Sequence, residues 1–342
     1  MIEALAAGAP SASSSGEIPV LVASYDIFNG DADGICALHQ LRLNEPRDGR
    51  LVTGVKRDVR LLAGVHAGAG VELTVLDISL AENRKPLEAL LAAGASCLYF
   101  DHHFPGIVPT HANLTAHIRY SPDVCTSLLV DEYLRGRFRR WAVVAAFGDN
   151  LTEQARVAAR DLNLDPTQID LMRELGECIN YNAYGDTLED LHFHPADLYL
   201  RLRPYTDPLE FTARDAAFDA LRTGYRSDMA HANAIEPLFS SPTHHVVMLP
   251  DAAWSRRVHG VLANRLATAS PERAHAVVVS HGEQHRISVR APTLRPHGAD
   301  DLCRRFPGGG GRPGSAGIND LPRGCFDDFL NAFRSAFRAN AP

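Results

Sequence analysis

Two short segments of this 342-residue chain concentrate side chains of the types that bind metal ions. Residues 29–34 read NGDADG, and residues 101–103 read DHH between two phenylalanines. Carboxylate oxygens are preferred ligands of Mg²⁺ and Mn²⁺, and added imidazole nitrogen shifts the preference toward Mn²⁺. If the fold brings the two segments together, they can hold divalent cations against a phosphate group.

Taken singly, most of the acids also have ordinary structural explanations. Asp31 and Asp33 could belong to a simple glycine-containing turn. Asp77 could cap the helix that follows it, and Asp149 could end a helix. The segment that begins at Asp101 is different, because packing gives no reason for three adjacent polar residues directly after an apolar strand.

The residues around these acids predict alternating strands and helices. Short apolar runs predict buried strands at residues 19–27, 51–54, 71–78 and 96–100, and apolar residues at helical spacing predict helices at 35–43 and 81–93. This alternation indicates an α/β fold with a doubly wound parallel sheet. Four acids follow the carboxyl ends of its strands, where ligand crevices form in open α/β sheets: Asp31, Asp33, Asp77 and Asp101.

The rest of the chain predicts a helical segment and a smaller second α/β domain. Helices near residues 125–134 and 141–147 lead to Asp149, and the sequence from 150 to 240 is helical and polar. Strands at 245–249, 275–280 and 286–290 occur with helices at 258–267 and 326–337. We divide the chain into a tail interpreted as disordered (1–18), a metal-binding domain (19–185), a helical connector (186–243) and a C-terminal domain (244–342).

A glycine cluster occupies residues 308–317, with Arg304, Arg305 and Arg312 beside it or within it. Composition alone favours a flexible loop. Glycine also permits close backbone approach, so successive N–H groups could form a nest for an anion, with guanidinium groups to bind phosphate. Both interpretations are open from the sequence.

A second basic run, Lys56-Arg57 with Arg60, follows the strand predicted at residues 51–54. It could contact substrate phosphates from the same edge of the sheet as the acids. Runs of this kind more often lie on a solvated helix face, and we favour that interpretation from the sequence.

The composition limits the partners of the chain. Its net charge is −7 and its sequence pI is near 6.1, which argues against a broad basic surface for long nucleic acid. The six cysteines form no C-x-x-C pair, so we expect neither structural zinc nor a dense disulfide framework. Because the sequence shows no membrane-spanning apolar run and no cationic secretory start, we expect a soluble cytoplasmic protein.

In order along the chain, these segments resemble the motifs of the DHH phosphoesterase superfamily. Residues 29–34 match its first motif, Asp77 its second, residues 101–103 its third and Asp149 its fourth. The GGGR and SAG sequences within residues 309–317 resemble the GGGH and AAG signature of the associated C-terminal domain, DHHA1. The resemblance covers nearly the whole chain from residue 19 onward, and it implies a DHH domain followed by a DHHA1-like domain, as in nanoRNase-type and RecJ-like enzymes.

The resemblance implies a centre of two divalent cations, most often Mn²⁺ with Mg²⁺ as the alternative, in a cleft between the two halves. In that arrangement Asp77 would bridge the ions and His103 would touch the scissile phosphate. The implied metal ligands are Asn29, Asp31, Asp33, Asp77, Asp101, His102 and Asp149. The implied catalytic residues are His103 and Asp101, and the implied substrate-binding residues are His103, Arg290, Gly309, Gly310, Gly311 and Arg312.

Three positions depart from the family pattern. Ile27 stands where many members have a metal-binding histidine, and Asn29 stands where RecJ-like members have an aspartate. One ion therefore lacks a usual strong ligand, because the Asn29 amide offers an oxygen without a charge. Arg312 replaces the histidine of the glycine signature, which implies altered recognition of the substrate.

The implied activity is hydrolysis of phosphodiester bonds in short oligonucleotides or linear dinucleotides, by a water molecule that two metal ions activate. Two alternatives stay open. One is a phosphatase for a small nucleotide such as 3′-phosphoadenosine 5′-phosphate, and the other is a sensor that binds a nucleotide without cutting it. We expect no long duplex nucleic acid and no membrane among the partners, and a homodimer is compatible with the sequence.

Overall fold

The computed structural model describes residues 24–338, and its first half is built on a five-stranded parallel sheet. The strands are β1 (Ser24–Phe28), β2 (Arg50–Val52), β3 (Glu72–Leu76), β4 (Ser96–Asp101) and β5 (Leu114–Ile118), in the spatial order β2-β1-β3-β4-β5. The α/β class with a parallel sheet is confirmed, and β5 extends the sheet beyond the predicted strands. The tail interpreted as disordered and the start of the first predicted strand lie outside the described residues.

Helices cover both faces of this sheet, as a doubly wound fold requires. Helix α1 (Ala32–Asn44) follows β1, and helix α2 (Leu80–Ala92) follows β3. The apolar side of α1 packs in the same core as Phe28, whereas the apolar side of α2 packs in the same core as Ile27. Because these two neighbours on β1 are both fully buried, the strand is buried on both faces.

The strand order puts a topological switch point between β1 and β3. The chain leaves β1 for β2 on one side and leaves β3 for β4 on the other. A crevice forms at such a point, outside the carboxyl ends of the strands, because the connecting helices diverge to opposite faces. Asp31 follows β1 and Asp77 follows β3, so the fold places these two acids on either side of the crevice.

Helices follow the sheet from residue 126 to residue 233. They are α3 (Thr126–Tyr133), α4 (Arg139–Gly148), α5 (Thr152–Ala159), α6 (Pro166–Ala183), α7 (Pro195–Leu202), α8 (Pro208–Arg214) and α9 (Ala216–Asn233). Trp141, Phe211 and Leu221 pack in one core with α1, so the segment predicted as a helical connector also contributes to the first half. The domain boundaries drawn around it stay predictions. Within residues 24–338, no helix is long and apolar enough to cross a membrane.

The second half is a six-stranded mixed sheet, with cores on both of its faces. Its strands are β6 (Phe239–Ser240), β7 (His244–Leu249), β8 (Ala274–His281), β9 (Gln284–Arg290), β10 (Gly309–Arg312) and β11 (Ser315–Pro322), in the order β10-β11-β9-β8-β7-β6. Its helices are α10 (Ala253–Ala269), α11 (Ala299–Arg304) and α12 (Phe326–Ala336). The smaller C-terminal α/β unit is confirmed.

The glycine cluster forms the edge hairpin β10–β11, so its interpretation as a flexible loop is wrong. Consecutive N–H groups of a strand point to opposite sides, so the segment does not form a nest. Packing explains two of the glycines: a β-carbon at Gly309 would lie 1.9 Å from the carbonyl oxygen of Cys303, and one at Gly311, where φ is +141°, would lie 2.5 Å from Ala316 Cα. A part for this segment in substrate binding stays a prediction.

Buried ion pairs join the second sheet to the helices of the first half. Arg256 of α10 donates hydrogen bonds of 2.7 and 2.8 Å to Asp190, and Arg257 donates one of 2.8 Å to Asp228. All four side chains are largely buried. Separating the two halves would expose each charge to a new environment without its partner, so these pairs fix one half against the other.

Arg42 is expected to be essential for stability, because it is the partner of a buried carboxylate. It donates to Asp26 on β1 and, at 2.8 Å, to the Thr74 hydroxyl on β3. Asp26 is 1% exposed, so Arg42→Met should lower the free energy of unfolding by about 3–5 kcal/mol. The control Arg84→Met breaks an exposed pair with Glu88 and should cost about 0.5 kcal/mol or less. Urea denaturation measures both, and equal losses would contradict the argument.

Candidate metal centre and adjoining cleft

Asp31 is fixed by the turn that starts α1. Its Oδ1 accepts hydrogen bonds from the backbone N–H groups of Asp33 (3.0 Å) and Gly34 (3.1 Å), which makes Asp31 the N-cap of the helix. The turn is tight, since a β-carbon at Gly34 would lie 2.2 Å from the carbonyl oxygen of Asn29. The Asn29 amide accepts from Asp31 N–H (3.3 Å) and donates to the carbonyl of Lys56 (3.2 Å). Asn29 therefore braces the turn through backbone groups.

Asp33 and Asp77 are positioned by the start of α3. The two carboxylate oxygens of Asp33 accept N–H bonds from Thr126 and Ser127, each 2.7 Å long. Free N–H groups at a helix N-terminus stabilise a carboxylate placed there. The Thr126 hydroxyl donates to Asp77 Oδ1 at 3.1 Å. Asp77 has a φ of +58°, a left-handed backbone that is uncommon outside glycine and marks a constrained turn after β3.

Asp101 holds its neighbour His103. Its Oδ1 accepts from the His103 ring at Nδ1 (2.7 Å) and from His103 N–H (3.2 Å), and its Oδ2 accepts from Leu80 N–H (3.3 Å) at the start of α2. Because Nδ1 donates to the carboxylate, Nε2 is the His103 nitrogen left for a ligand. Burial would lower the pKa of His103, but the hydrogen bond and charge of Asp101 outweigh it and raise the pKa above its usual value.

His102 stands at the centre of the other acids. Its Nε2 lies 3.4 Å from Asp77 Oδ1, 3.9 Å from Asp33 Oδ2 and 4.0 Å from Asp149 Oδ2. Asp149 reaches the cluster from the C-terminal end of α4. The structure therefore brings together four of the predicted metal ligands, from α1, β3, β4 and α4. We call these four residues the acidic cluster.

The acids of the cluster repel one another when no cation is bound. Burial raises the pKa of Asp77 well above its usual value, and the charges of Asp33 and Asp31 add to the shift. Burial also raises the pKa of Asp149; Lys56 opposes that shift, and the neighbouring acids reinforce it. A bound cation would favour the ionised form of both carboxylates and remove the repulsion.

Two overlapping groups of ligand atoms could each hold a divalent cation. Single atoms of Asp33, His102 and Asp149 lie within 4.8 Å of one another, and so do single atoms of Asp77, His102 and His103. Both groups share His102. Carboxylate oxygen with imidazole nitrogen is a donor set that suits Mn²⁺ and that Mg²⁺ also accepts.

Lys56 lies beside the acidic cluster, so its interpretation as part of a solvated helix face is wrong. It belongs to a turn after β2, and its ammonium forms an ion pair with Asp31 and lies 3.7 Å from Asp149 Oδ1. It also donates to Asn180 Oδ1 at 3.1 Å and lies 5.6 Å from the ring centre of Tyr184. Burial would lower the pKa of Lys56, but the charges of Asp31, Tyr184 and Asp149 and the hydrogen bond to Asp31 together outweigh it, and the pKa is raised well above its usual value. Its place at the same sheet edge as the acids was the signal available in the sequence.

A cleft of about 710 Å³ adjoins the acidic cluster. It is bounded by the end of α4 and by α6, α9 and α10, and its wall includes Asn180 and Tyr184, which contact Lys56. Arg173, Arg265 and Tyr225 also line it. The cleft therefore combines cationic, amide and aromatic groups next to the predicted metal ligands.

The predicted substrate-binding residues lie in different parts of the molecule. His103 borders the acidic cluster. Arg290 on β9 donates to Asn264 Oδ1 at 2.7 Å, and Asn264 lines the cleft, so Arg290 supports its wall from behind. Burial lowers the pKa of the Arg290 guanidinium. The remaining predicted residues form the edge strand β10: Gly309, Gly310, Gly311 and Arg312.

No protein-family model and no curated protein matches the sequence. Solved structures are similar in fold. A DHH-domain protein described as a member of a family of ribosomal proteins superposes with a TM-score of 0.60 at 13% identity, over 93% of this chain and 87% of that one. The exonuclease RecJ bound to manganese gives a TM-score of 0.56 at 19% identity, over 94% and 91% of the two chains. The pGpG-specific phosphodiesterase PggH from Vibrio cholerae gives 0.55 at 12% identity, over 92% and 98%.

These matches extend over nearly the full length of both chains in each pair. Identities of this size establish the fold and leave activity to be argued from the site. The chain therefore has the fold of DHH-domain proteins, as the sequence motifs implied.

Asp77→Asn is expected to stabilise the metal-free protein at neutral pH. A carboxyl whose pKa is raised by folding favours the folded state only below its unfolded pKa of about 4, and that stability is lost as the pH rises toward the folded pKa. At pH 8 the variant should therefore gain about 1 kcal/mol or more in the free energy of unfolding, and the gain should shrink as the pH falls to 4. Urea denaturation in EDTA measures the effect, with exposed Asp161→Asn as the control. A loss of stability at pH 8 would contradict the repulsion.

Proposed function

We propose that this chain is a phosphoesterase that depends on a divalent cation. The observation that carries the proposal is the convergence of the acidic cluster at the switch point of the sheet, with the His103 imidazole beside it. Buried acids that repel one another do not stabilise a fold, so their assembly is better explained by a cation that they bind.

A bound Mn²⁺ or Mg²⁺ would polarise a phosphoryl oxygen and lower the pKa of a water molecule, with Asp33, Asp77, His102 and Asp149 as its ligands. The chain itself supplies His103, which Asp101 holds by Nδ1. Asp101 raises the pKa of this ring, which increases its protonated fraction. Nε2 can then donate to a phosphoryl oxygen or protonate the leaving oxygen.

Two of the similar structures support this class of reaction. One is named an exonuclease, bound to manganese, and the other a phosphodiesterase specific for pGpG. Both names describe enzymes that act on phosphodiester bonds. The same fold, with carboxylates and imidazoles at the edge of the parallel sheet, supports that activity for this chain and favours Mn²⁺ as its ion.

The cleft supports a short oligonucleotide or a linear dinucleotide as the substrate. Its volume of about 710 Å³ falls in the range of sites that enclose a small ligand. Arg265 offers a guanidinium group for phosphate, and the rings of Tyr184 and Tyr225 offer surfaces for a base, whereas Arg173 already pairs with Asp170 and with Glu177, which also lines the cleft. The net charge of −7 disfavours a long strand wrapped around the protein.

A nucleotide sensor without hydrolysis is a second candidate, favoured by one observation. Lys56 pairs with Asp31, and that carboxylate is then engaged by an ammonium rather than by a metal ion. A site with fewer metal ligands could keep the binding cleft and lose the chemistry. Nucleotide binding with Mn²⁺ present and no product after prolonged incubation would favour the sensor.

His103→Gln is expected to lower kcat by about 10²–10⁴-fold while Mn²⁺ still binds, because it removes a proton donor and leaves the acidic cluster intact. Asp33→Asn should lose both Mn²⁺ binding and turnover, because it removes a charged ligand. Exposed His66→Gln is the matched control and should retain full activity. Turnover is measured as product release from a dinucleotide, and Mn²⁺ binding is measured by isothermal titration calorimetry. The two measurements separate loss of chemistry from loss of the metal ion. An unchanged rate in Asp33→Asn would remove the acidic cluster from the reaction.

The substrate class is tested by rates on linear dinucleotides, on longer oligomers and on 3′-phosphoadenosine 5′-phosphate. We expect kcat/KM to be highest for dinucleotides and at least about tenfold lower for longer oligomers, because the volume of the cleft, about 710 Å³, suits a small ligand. Arg265→Met should raise KM for the dinucleotide, since it removes a guanidinium from the cleft wall. Preference for the bisphosphate would indicate a phosphatase, and preference for long strands would contradict both assignments.

A further inference from the structure

The ammonium of Lys56 occupies a position at which a second metal ion would be expected. It pairs with Asp31 on one side and lies 3.7 Å from Asp149 on the other. Its side chain is 28% exposed, so most of it is enclosed by the site. The hydrogen bond to Asn180 at 3.1 Å and the nearby Tyr184 ring fix it there.

Asp31 has little capacity left to bind a metal ion. One of its oxygens accepts two backbone hydrogen bonds as the N-cap of α1, and the other is paired with Lys56. In the described part of the chain, the groups of converging ligand atoms include Asp33, Asp77, His102, His103 and Asp149 but not Asp31.

Two neighbours of Asp31, Ile27 and Asn29, supply no ligand for a second ion. The side chain of Ile27 is fully buried in the core that contains α2 and carries no donor atom. The amide of Asn29 is bonded to the backbone at both ends, through Asp31 N–H and the Lys56 carbonyl. The turn that opens α1 thus offers only Asp33 to a metal, on the side of the cluster that faces α3.

We propose that the Lys56 ammonium replaces one of the two divalent cations of this site, so that the acidic cluster binds a single ion. The proposal rests on the proposed function in assigning the cluster to a metal-dependent phosphoesterase. A lysine can serve such a centre because an ammonium binds phosphate as a compact point charge. It would offset the charge of Asp31 permanently, without the exchange that a second ion undergoes.

The test is the stoichiometry of Mn²⁺ in the full-length chain. Protein stripped with EDTA is dialysed against Mn²⁺, bound manganese is counted by mass spectrometry, and its electron paramagnetic resonance spectrum is recorded. We expect one Mn²⁺ per chain with the spectrum of an isolated ion. Two ions about 3.5–4 Å apart would instead show exchange coupling.

Lys56→Met removes the ammonium at nearly constant length and frees the Asp31 carboxylate. We expect it to bind a second Mn²⁺ with an exchange-coupled spectrum. Arg57→Met is the matched control: Arg57 is the next residue and pairs with Asp186 outside the cluster, and its removal should leave one ion per chain.

Two coupled ions in the wild-type chain would overturn the proposal, even with full hydrolytic activity. One isolated ion without hydrolysis of any phosphoester would support it and would overturn the proposed function instead. No bound ion at saturating Mn²⁺ would overturn both. Because the wild-type measurement decides between these outcomes, the proposal does not depend on whether Lys56→Met folds.

Discussion

Repulsion among buried carboxylates is the constraint on which the rest of this structure depends. Asp31, Asp33, Asp77 and Asp149 meet in a largely buried site, and like charges in such surroundings disfavour ionisation. The fold supplies positive potential from three directions: the start of α1 on Asp31, the start of α3 on Asp33, and the ammonium of Lys56. These groups do not fully offset the negative charges of Asp77 and Asp149. A cation bound beside His102 would neutralise the remaining charge.

The architecture around the cluster serves to hold it in place. The switch point between β1 and β3 brings acids from distant parts of the chain to one sheet edge. Arg42 ties α1 to the strands beneath it, and the pairs of Arg256 and Arg257 fix the second sheet against the helices. The wall of the cleft on α10 is therefore held at a fixed distance from the acidic cluster. These ion pairs also stabilise the fold against the repulsion among the carboxylates of the cluster.

The sequence was sufficient for the parts of the molecule governed by local pattern. Apolar runs located the first four strands of the parallel sheet, and the acids that follow them were recognised because strand ends share an edge. The place of Lys56 is not predictable from local pattern, because its partner Asp31 is 25 residues away along the chain. The hairpin at Gly309 is not predictable from composition for a related reason. Glycine is required at this position because the backbone of Cys303 approaches closely, and composition does not encode that contact.

The most direct test of this account is the location of manganese by anomalous diffraction from crystals of the protein grown with Mn²⁺. We expect one anomalous peak among the oxygens of Asp33, Asp77 and Asp149 and Nε2 of His102, with the Lys56 ammonium still paired to Asp31. Two peaks with Lys56 displaced would show that the lysine does not replace an ion. A peak elsewhere, with the cluster free of metal, would contradict the assignment of the site itself.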